Sequence, residues 1–143
     1  MILPDINLLL YAYNPESRFH REAAAWWLGV MNGAEPVGLA VPVALGFVRL
    51  STQSFAFREP LSVQAATAIV RDWIARHQVS LLHVEASDLS RALALLDACG
   101  TPGNLASDAV LAALAIAHDA VVHTADADFT RLKSVKWRNP LAR

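Results

Sequence analysis

Met1-Ile-Leu-Pro-Asp5-Ile-Asn7-Leu-Leu-Leu-Tyr-Ala12 opens the chain with a short apolar run, a carboxylate, and then a second apolar run of helix-compatible composition. A strand that gives way to a helix at an acid is the pattern of an open parallel sheet, where ligands gather outside the carboxyl ends of the strands. Asp5 is thereby the first candidate for chemistry. The same residue suits a simpler role, capping the following helix by accepting a backbone N–H. Further acids at equivalent places later in the chain would favour the first role.

Reading outward from that stretch, Ile6 to Tyr13 forms a helix that Asn14-Pro15 stops, because the residue before a proline avoids the α region. From His20 to Met31, Ala23, Ala24, Trp27, Leu28 and Met31 recur at helical spacing, and Asn32-Gly33 closes the segment. Val37 to Val41 reads as a second strand, with Pro42 starting a helix that runs through Phe47 to Leu50. A polar and aromatic loop spans Thr52 to Pro60. Leu61-Ser62 then introduces a helix with Val63, Ala66, Ile69, Val70, Trp73 and Ile74 on one side. Val79 to Val84 is a third strand, followed by a helix over Ser87 to Ala98, and Gly100-Thr-Pro-Gly-Asn104 is the strongest turn signal in the chain.

Leu105 to His118 is apolar at nearly every position and must be buried nearly all round. Asp108 lies in its first turn on the stripe of Leu111, Ala112 and Ala115, so its carboxylate points with packed residues; it also suits a helix-start acid that favours the macrodipole, with Ser107 as the capping candidate. Ala120 to Thr124 is a fourth strand, ending in Thr124-Ala-Asp126-Ala-Asp128-Phe129. Val135 to Trp137 adds an edge strand. Strands alternating with helices imply one α/β domain over residues 1–143, a parallel sheet with helices on both faces.

Composition narrows the function. The chain has 143 residues, 55% of them apolar, yet no uninterrupted apolar stretch long enough to cross a membrane and no basic segment ahead of the first apolar run. The expectation is a cytoplasmic protein. One cysteine, Cys99, excludes an internal disulfide and a cysteine-built zinc site, and the five histidines show no metal-ligand spacing. A net charge of −1 argues against a generally basic nucleic-acid surface. It hides a basic C-terminal stretch, however, with Arg131, Lys133, Lys136, Arg138 and Arg143 and no acid after Asp128.

On this scaffold Asp5 and Asp126 fall at the ends of two strands, and Asp108 reaches the same edge from the start of a helix. Converging carboxylates repel, raise one another's pKa and cost stability unless a cation joins them. Mg²⁺ or Mn²⁺ takes carboxylate oxygens and water, and such a site can activate a water for attack on a phosphodiester.

Asp5-Ile-Asn7, Asn104 ahead of Asp108-Ala-Val-Leu-Ala-Ala-Leu-Ala, and Thr124-Ala-Asp126-Ala-Asp128-Phe129 together resemble the PIN domain in the form of the VapC-type ribonuclease toxins. His20, Trp27, Phe47-Val-Arg49-Leu and Trp137-Arg138-Asn139-Pro140 extend the likeness over essentially the whole chain. The resemblance implies a three-layer α/β/α fold, Mg²⁺- or Mn²⁺-dependent cleavage of RNA, a homodimer, and a VapB-type antitoxin that inserts into the active-site groove. It assigns Asp5, Asp108 and Asp126 as metal-coordinating catalytic acids and Asp128 as an auxiliary one. Asn7 and Thr124 would orient neighbouring carboxylates. Arg49, Arg131 and Lys133 are candidates for phosphate contact, since basic side chains position the nucleic-acid backbone.

One departure stands out. Where PIN domains commonly carry a Glu in the helix after the second strand, the matching position is Gly46. A PIN-like RNA- or protein-binding module without catalysis is therefore the alternative. A haloacid-dehalogenase-type phosphoryl-transfer enzyme is disfavoured, because it needs a lysine upstream of the final acid pair, and the only lysines, Lys133 and Lys136, lie downstream.

Overall fold

Every residue of β1 (Ile2–Pro4) is buried, as expected of a central strand covered on both faces. A computed structural model of the chain describes residues 1–100 and 103–142; Thr101 and Pro102 of the expected turn, and Arg143 of the basic stretch, lie outside them. In chain order β1 is followed by α1 (Ile6–Tyr13), α2 (His20–Asn32), β2 (Val37–Ala40), α3 (Val41–Ser51), α4 (Val63–Ile74), β3 (Val79–Leu82), α5 (Ala86–Cys99), α6 (Ala106–Ala117), β4 (Val121–His123) and β5 (Lys136–Arg138). Short 3₁₀ turns at Gly103–Leu105 and Ala127–Arg131 lead into α6 and toward β5.

The sheet has the order β3-β2-β1-β4-β5, and every pairing is parallel. From β1 the chain steps outward to β2 and β3, then crosses back to place β4 on the other side of β1. With right-handed crossovers, that reversal puts α1 to α4 on one face and α5 and α6 on the other. The packing agrees, since α1 lies against α2 and α3, α3 against α4, and α5 against α6. The expected three-layer architecture is present.

Each face has its own apolar filling. Under α1 to α4, Tyr13, Phe47 and Trp73 meet at ring separations of 4.8–5.7 Å, with Trp27 edge-on to Trp73 at 5.4 Å. The Trp73 indole N–H donates to the Tyr13 hydroxyl at 3.0 Å, so a buried polar tip is satisfied inside this cluster. On the other face α6 is buried at Ala109 and through Leu111–Ala115, as its unbroken apolar composition requires. Small alanine side chains let the helix lie close on the sheet. Gly100, at φ +64°, ends α5 in the left-handed region, where glycine bears no Cβ penalty.

Two local expectations need correction. β3 ends at Leu82, short of Val84, which leaves Val84 in the connection to α5. Ser107 does not cap α6: the helix begins at Ala106, and its cap residue is Leu105, which makes no side-chain capping bond. The preceding 3₁₀ turn carries the backbone into α6 in helical conformation, which removes the need for an extended serine cap.

Candidate active site

The reversal of chain direction lies between β1 and β4, and a crevice opens there beyond the strand ends. Asp5 follows β1 and Thr124 follows β4. Helix α6, which precedes a parallel strand, runs opposite to it, so its first turn with Asp108 lies at the same edge.

Asp5 caps α1 and also reaches across to the end of β4. Its Oδ1 accepts the Ile6 backbone N–H at 2.7 Å and so caps α1, while its Oδ2 accepts the Thr124 hydroxyl at 2.7 Å. The Thr124 oxygen in turn accepts from the Asp126 backbone N–H at 3.0 Å and from the Asn7 amide at 3.3 Å. Asn7 Oδ1 accepts the Ala125 N–H at 3.4 Å, and Asp126 Oδ1 accepts the Asp128 N–H at 2.8 Å, capping the 3₁₀ turn. Thus Asp5, Asn7, Thr124, Asp126 and Asp128 form one connected network. Within it Asn7 and Thr124 tie the ends of β1 and β4 together.

Thr124, fully buried, is the hub. Thr124→Val keeps the side-chain shape but removes the hydroxyl, leaving an Asp5 oxygen and the Asp126 N–H without their partner. The unfolding free energy in urea is expected to fall by ~1–3 kcal/mol, the usual cost of stranding buried polar groups. An unchanged denaturation midpoint would remove Thr124 from this role.

The electrostatics mark the same edge. Burial raises the Asp5 carboxyl; the bonds from Thr124 and Ile6 oppose that rise, and Asp126 adds to it. Asp108 is pushed up to about 7, first by burial and then by the charges of Asp5, Asp126 and Asp128. Among the described residues, no hydrogen bond holds Asp108 ionised. Asp128 instead lies 3.8 Å from the Arg131 guanidinium in an exposed pair.

A cleft of about 370 Å³, bordered by Asp5 and Asp108, lies between α3 and α6. Asp5, Ile6, Gly46, Arg49, Asp108 and Leu111 are among its lining residues, so the position that lacks the usual Glu borders the same cleft as two of the acids. A Cβ on Gly46 would meet Ile6 Cδ1 at 2.6 Å. The isoleucine therefore fills the space in front of that glycine. Arg49 is exposed at the cleft; Arg131 is engaged with Asp128, and Lys133 is exposed outside the hydrogen-bonded network. Lys136 of the basic stretch is taken up by Asp119 at 2.7 Å.

The acids share an edge without closing on one point. Among the described residues, no three His, Cys, Asp or Glu side chains are arranged to grip an ion directly. The donor set itself, carboxylate oxygens with mutual repulsion to relieve, suits a hard cation that keeps part of its water shell.

His123 was not singled out by its spacing. Its carbonyl accepts the Asp5 N–H at 2.9 Å, and its Nδ1 accepts the Trp26 indole N–H at 3.2 Å. Burial, followed by the charges of Arg138 and the N-terminus, lowers its pKa to about 4, so it is neutral and stiffens the end of β4. No sequence signal joins Trp26 to His123, which only the fold brings together. His20 has Nδ1 at 3.0 Å from the Tyr11 carbonyl.

Comparison with known proteins gives this edge a context. Residues 2–135 match the PIN domain family. The chain is similar to the ribonuclease VapC33 of Mycobacterium tuberculosis, with 43% identity over 141 residues that cover 99% of each protein. In structure it is similar to VapC20 of Mycobacterium tuberculosis, described as a sarcin-ricin loop cleaving toxin, with a TM-score of 0.72 at 20% identity over 97% of this chain and 100% of that one. It is also similar to VapBC2 of Rickettsia felis bound to a DNA fragment from its promoter, with a TM-score of 0.67 at 18% identity, covering 97% and 98% of the two chains. The crossover order, the acids at the switch point and the full-length identity agree, and this chain belongs to the PIN-domain family, among the VapC-type ribonucleases.

Proposed function

We propose that this chain is an endoribonuclease toxin that hydrolyses RNA phosphodiester bonds with Mg²⁺, for which Mn²⁺ can substitute, and that a VapB-type antitoxin neutralises it. The observation that carries the reading is the crowding at the cleft: Asp108, half-buried, is held near pKa 7 by burial and by three neighbouring acids. Such an arrangement costs stability in a metal-free protein and is relieved by a cation. Asp5, Asp108 and Asp126 would hold that cation, with Asp128 as an auxiliary. When bound, a divalent ion supplies an activated water and stabilises charge on the phosphoryl oxygens.

The rest of the work belongs to the chain. Thr124 and Asn7 fix the carboxylates of Asp5 and the turn bearing Asp126, and Arg49 offers a planar fork to a backbone phosphate at the cleft. Arg131 and Lys133 extend a basic approach beyond Asp128. The likeness to a VapBC assembly supports an antitoxin partner, which would neutralise the site by pairing an Arg with these acids. Exposed Leu89 and Leu93, one turn apart on α5, support a homodimer that covers them. No helix among the described residues is long and apolar enough to cross a membrane, in keeping with work in the cytoplasm.

A second reading keeps the fold and drops the catalysis. Ile6 packed over Gly46 favours it, because an apolar side chain stands where related domains carry a carboxylate. The two readings separate in one assay. Protein stripped with EDTA is expected to leave RNA intact and to regain cleavage with millimolar Mg²⁺ or Mn²⁺. Cleavage that survives chelation in protein of verified purity removes the metal-dependent reading, and no cleavage with any metal favours the binding module.

A further inference from the structure

β1 and β4 are three residues each, so the backbone that carries Asp5 and Thr124 lies one step past their last rungs. Terminal rungs open first. Toward β2, β1 pairs at Ile2 and Val37, and Pro4 has no N–H with which to extend that pairing. At the acid end β1 is held by β4, through the Asp5 N–H, which donates to the His123 carbonyl at 2.9 Å. His123 is the last residue of β4, in register with Pro4 on one side and Arg138 on the other. Its buried ring is fixed from outside the sheet: the Trp26 indole N–H donates to Nδ1 at 3.2 Å, with the two rings tilted at a separation of 5.8 Å. Trp26 stands on α2 beside Trp27, which is buried in the core.

We propose that Trp26 is a positioning residue for the acids, which through the His123 ring pins the end of β4 so that the His123 carbonyl and the Thr124 hydroxyl hold Asp5 in place. A side chain on a rigid helix that hydrogen-bonds the support of a site keeps its geometry where the backbone alone would fray. The contacts are continuous: Trp26 to the His123 ring, the His123 carbonyl to the Asp5 N–H, and the Thr124 hydroxyl to Asp5 Oδ2 at 2.7 Å. The same bond settles the ring. With Nδ1 an acceptor, the proton of the neutral imidazole sits on Nε2, and loss of the indole N–H frees the ring to take either form. Packing alone would account for an indole here but not for the bond its N–H makes, since the buried Trp27 indole N–H beside it has no partner among the described residues. The positioning is a property of the chain, and only its effect on cation binding rests on the metal-dependent reading.

Trp26→Phe keeps a ring beside His123 and removes the N–H, His123→Asn keeps an acceptor close to the place of Nδ1, and His123→Leu removes it. Amide hydrogen exchange of the whole, EDTA-stripped chain reads the positioning without any metal. In Trp26→Phe and in His123→Leu the Asp5 amide is expected to exchange about tenfold faster, the worth of one hydrogen bond, while the amides of Leu39 and Leu114 keep their parental rates. His123→Asn should stay near the parent. The double variant Trp26→Phe/His123→Leu should be no faster than either single one, since both remove the same bond. Mn²⁺ affinity, read from the loss of the free-ion resonance, should fall by about tenfold in the two single variants and be kept in His123→Asn. Parental protection of Asp5 in Trp26→Phe, additive effects in the double variant, or parental Mn²⁺ affinity in Trp26→Phe despite faster Asp5 exchange would overturn the proposal. Faster exchange shared equally by Leu39 and Leu114 would also overturn it and leave Trp26 a packing residue. A parent chain that binds no Mn²⁺ removes the metal-dependent reading alone, because the exchange pattern still decides the positioning.

Discussion

Asp108→Asn is expected to lower RNA cleavage by ~100-fold or more, beyond the 10- to 100-fold typical of losing a group that merely orients a metal ligand, while making the metal-free protein more stable at neutral pH. The two effects have one origin. In the folded chain the Asp108 carboxyl titrates near 7, whereas unfolded it would have its ordinary value of 3.8. Between those values the native state holds a proton that the unfolded state has released, so stability falls as pH rises from about 4 to 7. Above pH 7 the acid is ionised in both states and the full penalty applies; below 4 it is protonated in both and the penalty is gone. An asparagine carries no charge and avoids it. For a half-buried group, screened by water, the gain at pH 8 is ~1–2 kcal/mol, vanishing at pH 4. Urea denaturation in EDTA at the two pH values measures this. A loss of more than ~1 kcal/mol at pH 8 would instead make Asp108 a helix-start residue comparable to a cap.

Much of this site can be read from sequence because its parts have local signatures. An apolar run ending in Asp5, another ending ahead of Asp126, and an acid in the first turn of a helix that has no polar face are each visible within a dozen residues. The parallel order of strands converts those local patterns into one edge. What stays hidden is contact between elements far apart in sequence. Thr124 reaches Asp5 across 119 positions, and Trp26 reaches His123 across 97. Nothing in their spacing encodes either contact. The failed cap at Ser107 has a different cause: a 3₁₀ turn delivers the chain to α6 already helical, a continuity that residue preference alone does not reveal. Val84, read as strand, lies past the last ladder position of β3, where pairing with β2 ends at Ala40 and Leu82.

Gly46→Glu is expected to tighten Mn²⁺ or Mg²⁺ binding by about tenfold or more. The residue already lines the cleft with Asp5 and Asp108, so a carboxylate there joins the acids. Its Cβ would collide with Ile6 Cδ1, the end of a side chain that can rotate, so accommodation is a rotamer change and not a shift of backbone. Replacing a helix-interior glycine offsets that strain by up to ~1 kcal/mol. Metal-free stability should therefore remain within ~1 kcal/mol of the parent, and Ile6→Val in the same protein should recover any deficit. With saturating metal, tenfold tighter binding adds ~1.4 kcal/mol of stabilisation, visible as a larger metal-induced rise in Tm. Unchanged metal affinity in a folded Gly46→Glu protein would show that the acids do not take up their cation on the α3 side.

The central claim is that one cation joins Asp5, Asp108 and Asp126. Electron paramagnetic resonance of Mn²⁺ titrated into the EDTA-stripped and dialysed chain tests it directly, because free Mn²⁺ gives the signal and bound Mn²⁺ loses it. The wild type is expected to bind, and Asp5→Asn, Asp108→Asn and Asp126→Asn each to bind at least about tenfold more weakly, with Asp128→Asn affected less. Mn²⁺ binding of wild-type strength in all three principal variants, each verified as folded, would contradict it.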